Sequence, residues 1–152
     1  MSDRLRKLKA LSFNELQLLL VAVIILPVVA LLLRVAGFNQ TRSLLSKFIS
    51  QGSGFNKPQQ PETDQAHNIA RMVSIAACYG PYRANCLKQS LVLWWLLARR
   101  GLRSEIRFGV KKEAEEEFSA HAWVEFSGIN LSDSNVLQKQ VSQFKKVPSA
   151  EV

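Results

Sequence analysis

The stretch from Leu16 to Leu33, LQLLLVAVIILPVVALLL, runs for eighteen residues without a charge and leaves the chain two arrangements. A run of that length just reaches the thickness of a bilayer's hydrocarbon core. It therefore either crosses a membrane as an anchor, the reading that hydropathy alone favours, or forms an all-round apolar helix, kinked near Pro27 and buried against the domain or a partner. Arg4, Arg6, Lys7 and Lys9 precede it and Arg34 and Arg42 follow, so the flanking charge gives a span only a modest bias toward a cytoplasmic N-terminus. A cleaved signal peptide fits less well. The residues after the run, RVAGFNQTRSLL, resume an apolar helical spacing where a small-residue cleavage site would stand.

Charge divides the chain at about the same place. The formal net charge is +8, and residues 1–60 hold eight Lys/Arg against two acids, whereas residues 61–152 hold twelve against ten. Attraction to anionic lipid, nucleic acid or an acidic peptide acts first on the N-terminal part. The nearly balanced remainder, which has no nucleic-acid motif, argues against a nucleic-acid partner. Two cysteines, Cys78 and Cys86, do not make a disulfide scaffold. With His67 and His121 they match no familiar zinc-ligand spacing, and a reducing intracellular compartment is the simpler setting. Ser, Gly, Gln and Pro dominate SQGSGFNKPQQPETD, which reads as a linker. This gives a basic and apolar segment over 1–49, a linker over 50–61 and a folded domain over 62–152.

Within that domain the spacing of Ile69, Met72, Val73, Ala76 and Ala77 predicts an amphipathic helix from Glu62, capped by Thr63 or Asp64 and stopped by Gly80-Pro81. A second helix opens near Asn85 and ends at Gly101, with Arg99 and Arg100 suited to its negative end. The period then changes to two. SEIRFGV and SAHAWVEF form a hairpin around a solvated acidic tip at Glu113–Glu117, INLSDS adds a third strand, and a last helix is expected from Leu137 to Phe144. The fold class is α+β, with the second helix packed on a small antiparallel sheet.

This arrangement gathers the reactive groups. Cys86 falls in the first turn of a helix, His121 in the middle of a strand and Asp133 on the next strand. A thiol is a poor nucleophile at neutral pH, but unpaired amides and the partial positive charge at a helix N-terminus stabilise the thiolate. An imidazole facing it relays the proton, and a carboxylate behind the imidazole fixes its tautomer. Strand alternation puts His121, Trp123 and Glu125 on one face, expected to line the cleft beside the helix start, and Ala122, Val124 and Phe126 on the other, facing the core. Alone, each signal has a plainer reading: a buried small apolar residue for a cysteine, a satisfied strand histidine, a turn aspartate. Cys78 is read in that way, as a structural residue at a helix end. His67 is read as solvent-facing, and Trp94 and Trp95 as core.

RANCLKQSLVLWWLLARRGLRSEIRFGV, an acidic gap and FSAHAWVEFSGINLSD together resemble the C-terminal peptidase domain of the lasso-peptide biosynthesis B proteins. These are transglutaminase-like enzymes that remove the leader from a lasso precursor. The likeness covers roughly residues 62–140 and is carried by four features. They are the Cys-Leu pair opening a helix, the Arg-Gly-Leu ending it, the Gly-Val of the next strand, and the His-Ala-Trp-Val-Glu strand followed by glycine and an Asp. The resemblance implies a transglutaminase-like or papain-like cysteine peptidase core behind an apolar N-terminal helix, with Cys86, His121 and Asp133 as the catalytic triad. It also implies a lasso precursor as substrate, a separate leader-recognition protein, and an ATP-dependent asparagine-synthetase-like cyclase acting after cleavage. The expected location is the bacterial cytoplasm, with possible anchoring or membrane contact through Leu16–Leu33. No phosphate-cradling glycine loop is present, so no cofactor is expected on this chain. Two alternatives stand beside peptide hydrolysis: acyl transfer to an amine, and a non-catalytic, membrane-anchored scaffold.

Overall fold

The computed structural model describes residues 12–49, 60–112, 118–131 and 145–146. Among the described residues three helices carry a small antiparallel sheet: α1 (Phe13–Lys47), α2 (Gln60–Tyr79), α3 (Cys86–Arg99), β1 (Glu105–Lys112), β2 (Phe118–Phe126), β3 (Ile129–Asn130) and β4 (Lys145–Lys146). The strand order is β3-β2-β1-β4. This is the α+β arrangement expected, led by a long apolar helix.

α1 begins with a reciprocal cap. Ser12 Oγ accepts from the Glu15 amide, and the Glu15 carboxylate accepts from the Ser12 amide at 2.8 Å. By length and composition the helix is able to cross a membrane, yet one of its faces is part of the core. Leu18, Leu19, Ala22, Leu26 and Val29 are buried along α2 and α3. Backbone angles stay helical at Pro27, the position expected to kink. Proline lies inside the helix on its exposed side, and the break falls ten residues later at Gly37, whose φ of 75° and ψ of 178° leave helical space. Only glycine takes that geometry without strain, and the freed Gly37 carbonyl is met by Thr41 Oγ1 at 2.7 Å. The redirected segment brings Phe38 edge-on to Phe108 of β1, with ring centroids 5.5 Å apart.

α2 starts at Gln60, upstream of the expected caps Thr63 and Asp64, because Pro61 suits a first helical turn, where its missing N–H costs nothing. It ends where predicted. The Gly80 amide donates to the Ala76 carbonyl at 2.9 Å, and a Cβ on Gly80 would lie 2.3 Å from that oxygen and 3.7 Å from Val23 of α1. Gly80→Ala therefore forces backbone to move at a helix junction. A loss of roughly 1–3 kcal/mol is expected in urea melts, and a neutral result would show that the α2 terminus relaxes freely.

α3 spans the middle of the molecule, with Leu91, Val92, Trp95 and Leu97 buried, and it packs on both long strands. Gly101, at φ 74°, closes it as the C-terminal left-handed residue expected. β1 and β2 pair over eight positions, from Glu105 opposite Glu125 to Lys112 opposite Phe118. Two carboxylates facing each other would repel. Arg107 bridges them, its Nε donating to Glu125 at 3.1 Å and its Nη2 to Glu105 at 2.7 Å. The third strand is a two-residue pairing, and β4 adds a pairing to β1 that the sequence did not suggest. The acidic hairpin tip, the expected helix over 137–144 and most of the linker lie outside the described residues.

Candidate active site

Asn85 opens α3 as its N-cap, with Oδ1 accepting from the Lys88 amide at 3.2 Å. Cys86 is therefore the first helical residue, at the end where backbone amides lack intrahelical acceptors. Its thiol is free and half-buried. Lys88 reaches back to Tyr82, donating from Nζ to the hydroxyl at 2.8 Å, and Gln89 Nε2 donates to the Ala84 carbonyl at 2.8 Å. These bonds tie the segment before the helix to its first turn and hold Cys86 in place. In both Lys88 bonds the oxygen accepts, so the Asn85 side-chain N–H and the Tyr82 O–H keep their own hydrogens to donate.

His121 comes from the second strand of the hairpin. Its Cα partner across the ladder is Gly109, so no side chain stands opposite the imidazole in the space that a directly paired residue would fill. Trp123, two residues on, lies with its ring nearly parallel to the imidazole, centroids 6.2 Å apart, and is buried.

Cys86 and His121 line one cleft of about 250 Å³. Ala70, Val73 and Ser74 of α2 form one wall, Gln89, Ser90 and Leu93 of α3 continue from Cys86, and Ala122, Val124 and Leu131 close the sheet side. Of the strand face expected to line the cleft, His121 alone does so. Trp123 is packed away beside it, and Glu125 belongs to the Arg107 bridge. Asp133 lies outside the described residues. Gln89, Ser90 and Ser74 were not foreseen as cleft residues. The signal for the first two was present, since positions three and four after Cys86 share its helix face, and Ser90 is a buried hydroxyl on an otherwise apolar side.

Cys78 corrects its expected role. It is exposed at the end of α2, not packed as a small apolar residue, because the last turn of that helix carries it past the core face ending at Ala76 and Ala77. His67 is exposed as expected, Trp95 is buried, and Trp94 is half-buried beside Arg42.

Burial pushes the His121 imidazole below the ordinary histidine value of 6.5, since the charged ring would lose hydration. At neutral pH the ring is uncharged and able to take a proton. The sign for stability follows. The unfolded chain binds this proton near 6.5 and the folded chain only at lower pH, so stability is whole above that value and declines as pH falls through the folded value. Denaturant melts from about pH 8 to about pH 5 should show this decline, and His121→Gln should flatten it. An unchanged slope in the variant would mean that the ring is not desolvated.

No curated protein and no solved structure matches the chain. A family does. From the second half of α1 to beyond β4, residues 28–149 match the Transglutaminase-like superfamily. That is well over half of the 152 residues, and a half-buried thiol at a helix start across a cleft from a strand histidine suits such a domain; the chain belongs to the transglutaminase-like superfamily.

Proposed function

We propose that this protein is a cysteine peptidase that removes the leader from a lasso-peptide precursor. The observation that carries the reading is the shared cleft of Cys86 and His121, on a fold whose superfamily fits cysteine peptidases and acyltransferases in general. The lasso assignment adds the sequence likeness over residues 62–140, above all the His-Ala-Trp-Val-Glu strand at 121–125.

Cys86 sulfur attacks the last leader carbonyl as its proton passes to the neutral His121 ring. His121 then returns that proton to the departing core amine, and the C–N bond breaks. Water, deprotonated by His121, attacks the thioester and releases the leader as a free acid with the thiol restored. Asp133 is assigned the orienting role behind the ring. The protein works in the bacterial cytoplasm beside a separate leader-recognition protein and the ATP-dependent cyclase.

Acyl transfer is the second reading, favoured by the superfamily itself. It differs only in the last step, where an amine replaces water. Reconstitution with a precursor and its recognition protein, followed by mass spectrometry, separates the two. Hydrolysis gives a leader ending in a carboxylate, transfer gives an amide-linked leader, and an intact precursor under all conditions removes both.

A further inference from the structure

The outer face of α1 is an unbroken apolar stripe. Phe13, Leu16, Leu20, Ile24, Val28, Leu31 and Val35 are exposed at helical spacing, among them Ile24 at 63%, Leu31 at 62% and Val35 at 79%. The stripe is about 33 Å long at 1.5 Å per residue. A contiguous apolar surface of this size marks a contact with lipid or protein. Beside it lies a groove of about 520 Å³ between α1 and α3, lined by Gln17, Leu18, Leu20, Val21 and Leu96, with Arg99 and Arg100 at the end of α3. Leu20 belongs to both features. Among the described residues neither arginine meets a carboxylate. Arg99 stacks its guanidinium on Trp95, 4.9 Å from the ring centroid, and partial desolvation, helped by the neighbouring Arg99 charge, pushes Arg100 below the ordinary value. One cation at a helix C-terminus is accounted for by the helix dipole. Two adjoining guanidiniums on an apolar groove leave room for a phosphate.

From this geometry we infer that α1 docks sideways on the surface of an anionic phospholipid bilayer, with its outer stripe among the acyl chains and a lipid phosphate against Arg99 and Arg100. A span is the competing arrangement for the same helix. With the fold intact, a crossing α1 would carry α3 along, and with it Arg99 and Arg100, which line a groove with Leu18, Leu20 and Val21 inside the apolar run, to hydrocarbon depth, which is costly for charged groups. Lying in the interface immerses only the stripe. The thiol stays clear of it, since Cys86 and Arg99 stand at opposite ends of α3, about 20 Å apart. The inference stands independently of which acyl chemistry the cleft performs.

Flotation of the full chain with vesicles tests it. Binding is expected to vesicles of phosphatidylcholine mixed with phosphatidylglycerol and to be much weaker with phosphatidylcholine alone. Arg99→Gln with Arg100→Gln should weaken the former by about 30-fold, from roughly a factor of five per basic residue near an anionic surface. Ile24→Gln with Leu31→Gln should abolish binding to both, with circular dichroism unchanged. Carbonate washing should strip the bound chain. Four results would overturn the inference: no flotation with either vesicle, no effect of the stripe substitutions, retention after carbonate as a spanning segment, or a dimer in light scattering that Ile24→Gln and Leu31→Gln dissociate.

Discussion

Replacing Cys86 by alanine is expected to lower the rate of leader release by on the order of 10⁴ to 10⁶ while leaving the melting temperature nearly unchanged. The side chain is half-buried at the first position of α3, so truncating it removes little packing, and alanine is a good helix former. What disappears is the only group in the cleft able to form the thioester. Asp133→Asn should cost less, because the orienting role proposed for it acts through geometry. The exposed Cys78 shapes the supporting measurement. Alkylation must be followed site by site, or in a Cys78→Ser background, because an accessible bystander thiol reacts whether or not Cys86 is activated. Leader release by Cys86→Ala at the full rate would remove the sulfur from the mechanism.

The second large effect concerns stability. Leu26→Ala should destabilise the chain by roughly 3 kcal/mol, whereas Ile24→Ala, two residues away, should stay within about 0.5 kcal/mol in the absence of lipid. Leu26 is 1% exposed in the core between the helices and Ile24 is 63% exposed on the opposite side of α1. Removing the buried isobutyl group leaves a cavity that the two packed helices cannot close, and for a chain of this size the loss corresponds to a drop of about 10 °C in melting temperature. An anchor independent of the domain would show no such contrast. Equal melting temperatures for the two variants would detach α1 from the core.

The local parts of this fold were legible because their causes are local. Asn85 before Cys86 is a cap, Gly101 is a left-handed terminus, and the change of period after it marks strands, each readable within a turn or two of chain. That Cys86 and His121 would line one cleft was legible for a further reason: a helix start and a strand centre packed together leave few places for a cleft. Hydropathy reports how apolar Leu16–Leu33 is but not what it touches, so the core role of Leu18, Ala22 and Leu26 had no signal of its own. Pro27 drew the expected kink because proline breaks most helices, whereas the actual break needed the positive φ of Gly37, a demand set by where Phe38 must go. Cys78 was misjudged by one helical step, since its apolar neighbours Ala76 and Ala77 are buried and it is not. β4 pairs through two residues far along the chain from β1, too short to leave a periodic trace.

The edge-on pair of Phe38 and Phe108 is a cross-brace between the N-terminal arm and the strand whose next residue, Gly109, faces His121. Because a close-packed interior transmits displacement instead of absorbing it, the arm cannot swing relative to the hairpin without either parting the two rings or tugging the backbone beneath the imidazole. The shape of the cleft that Cys86 and His121 share is thereby tied to a residue more than eighty positions upstream of the histidine.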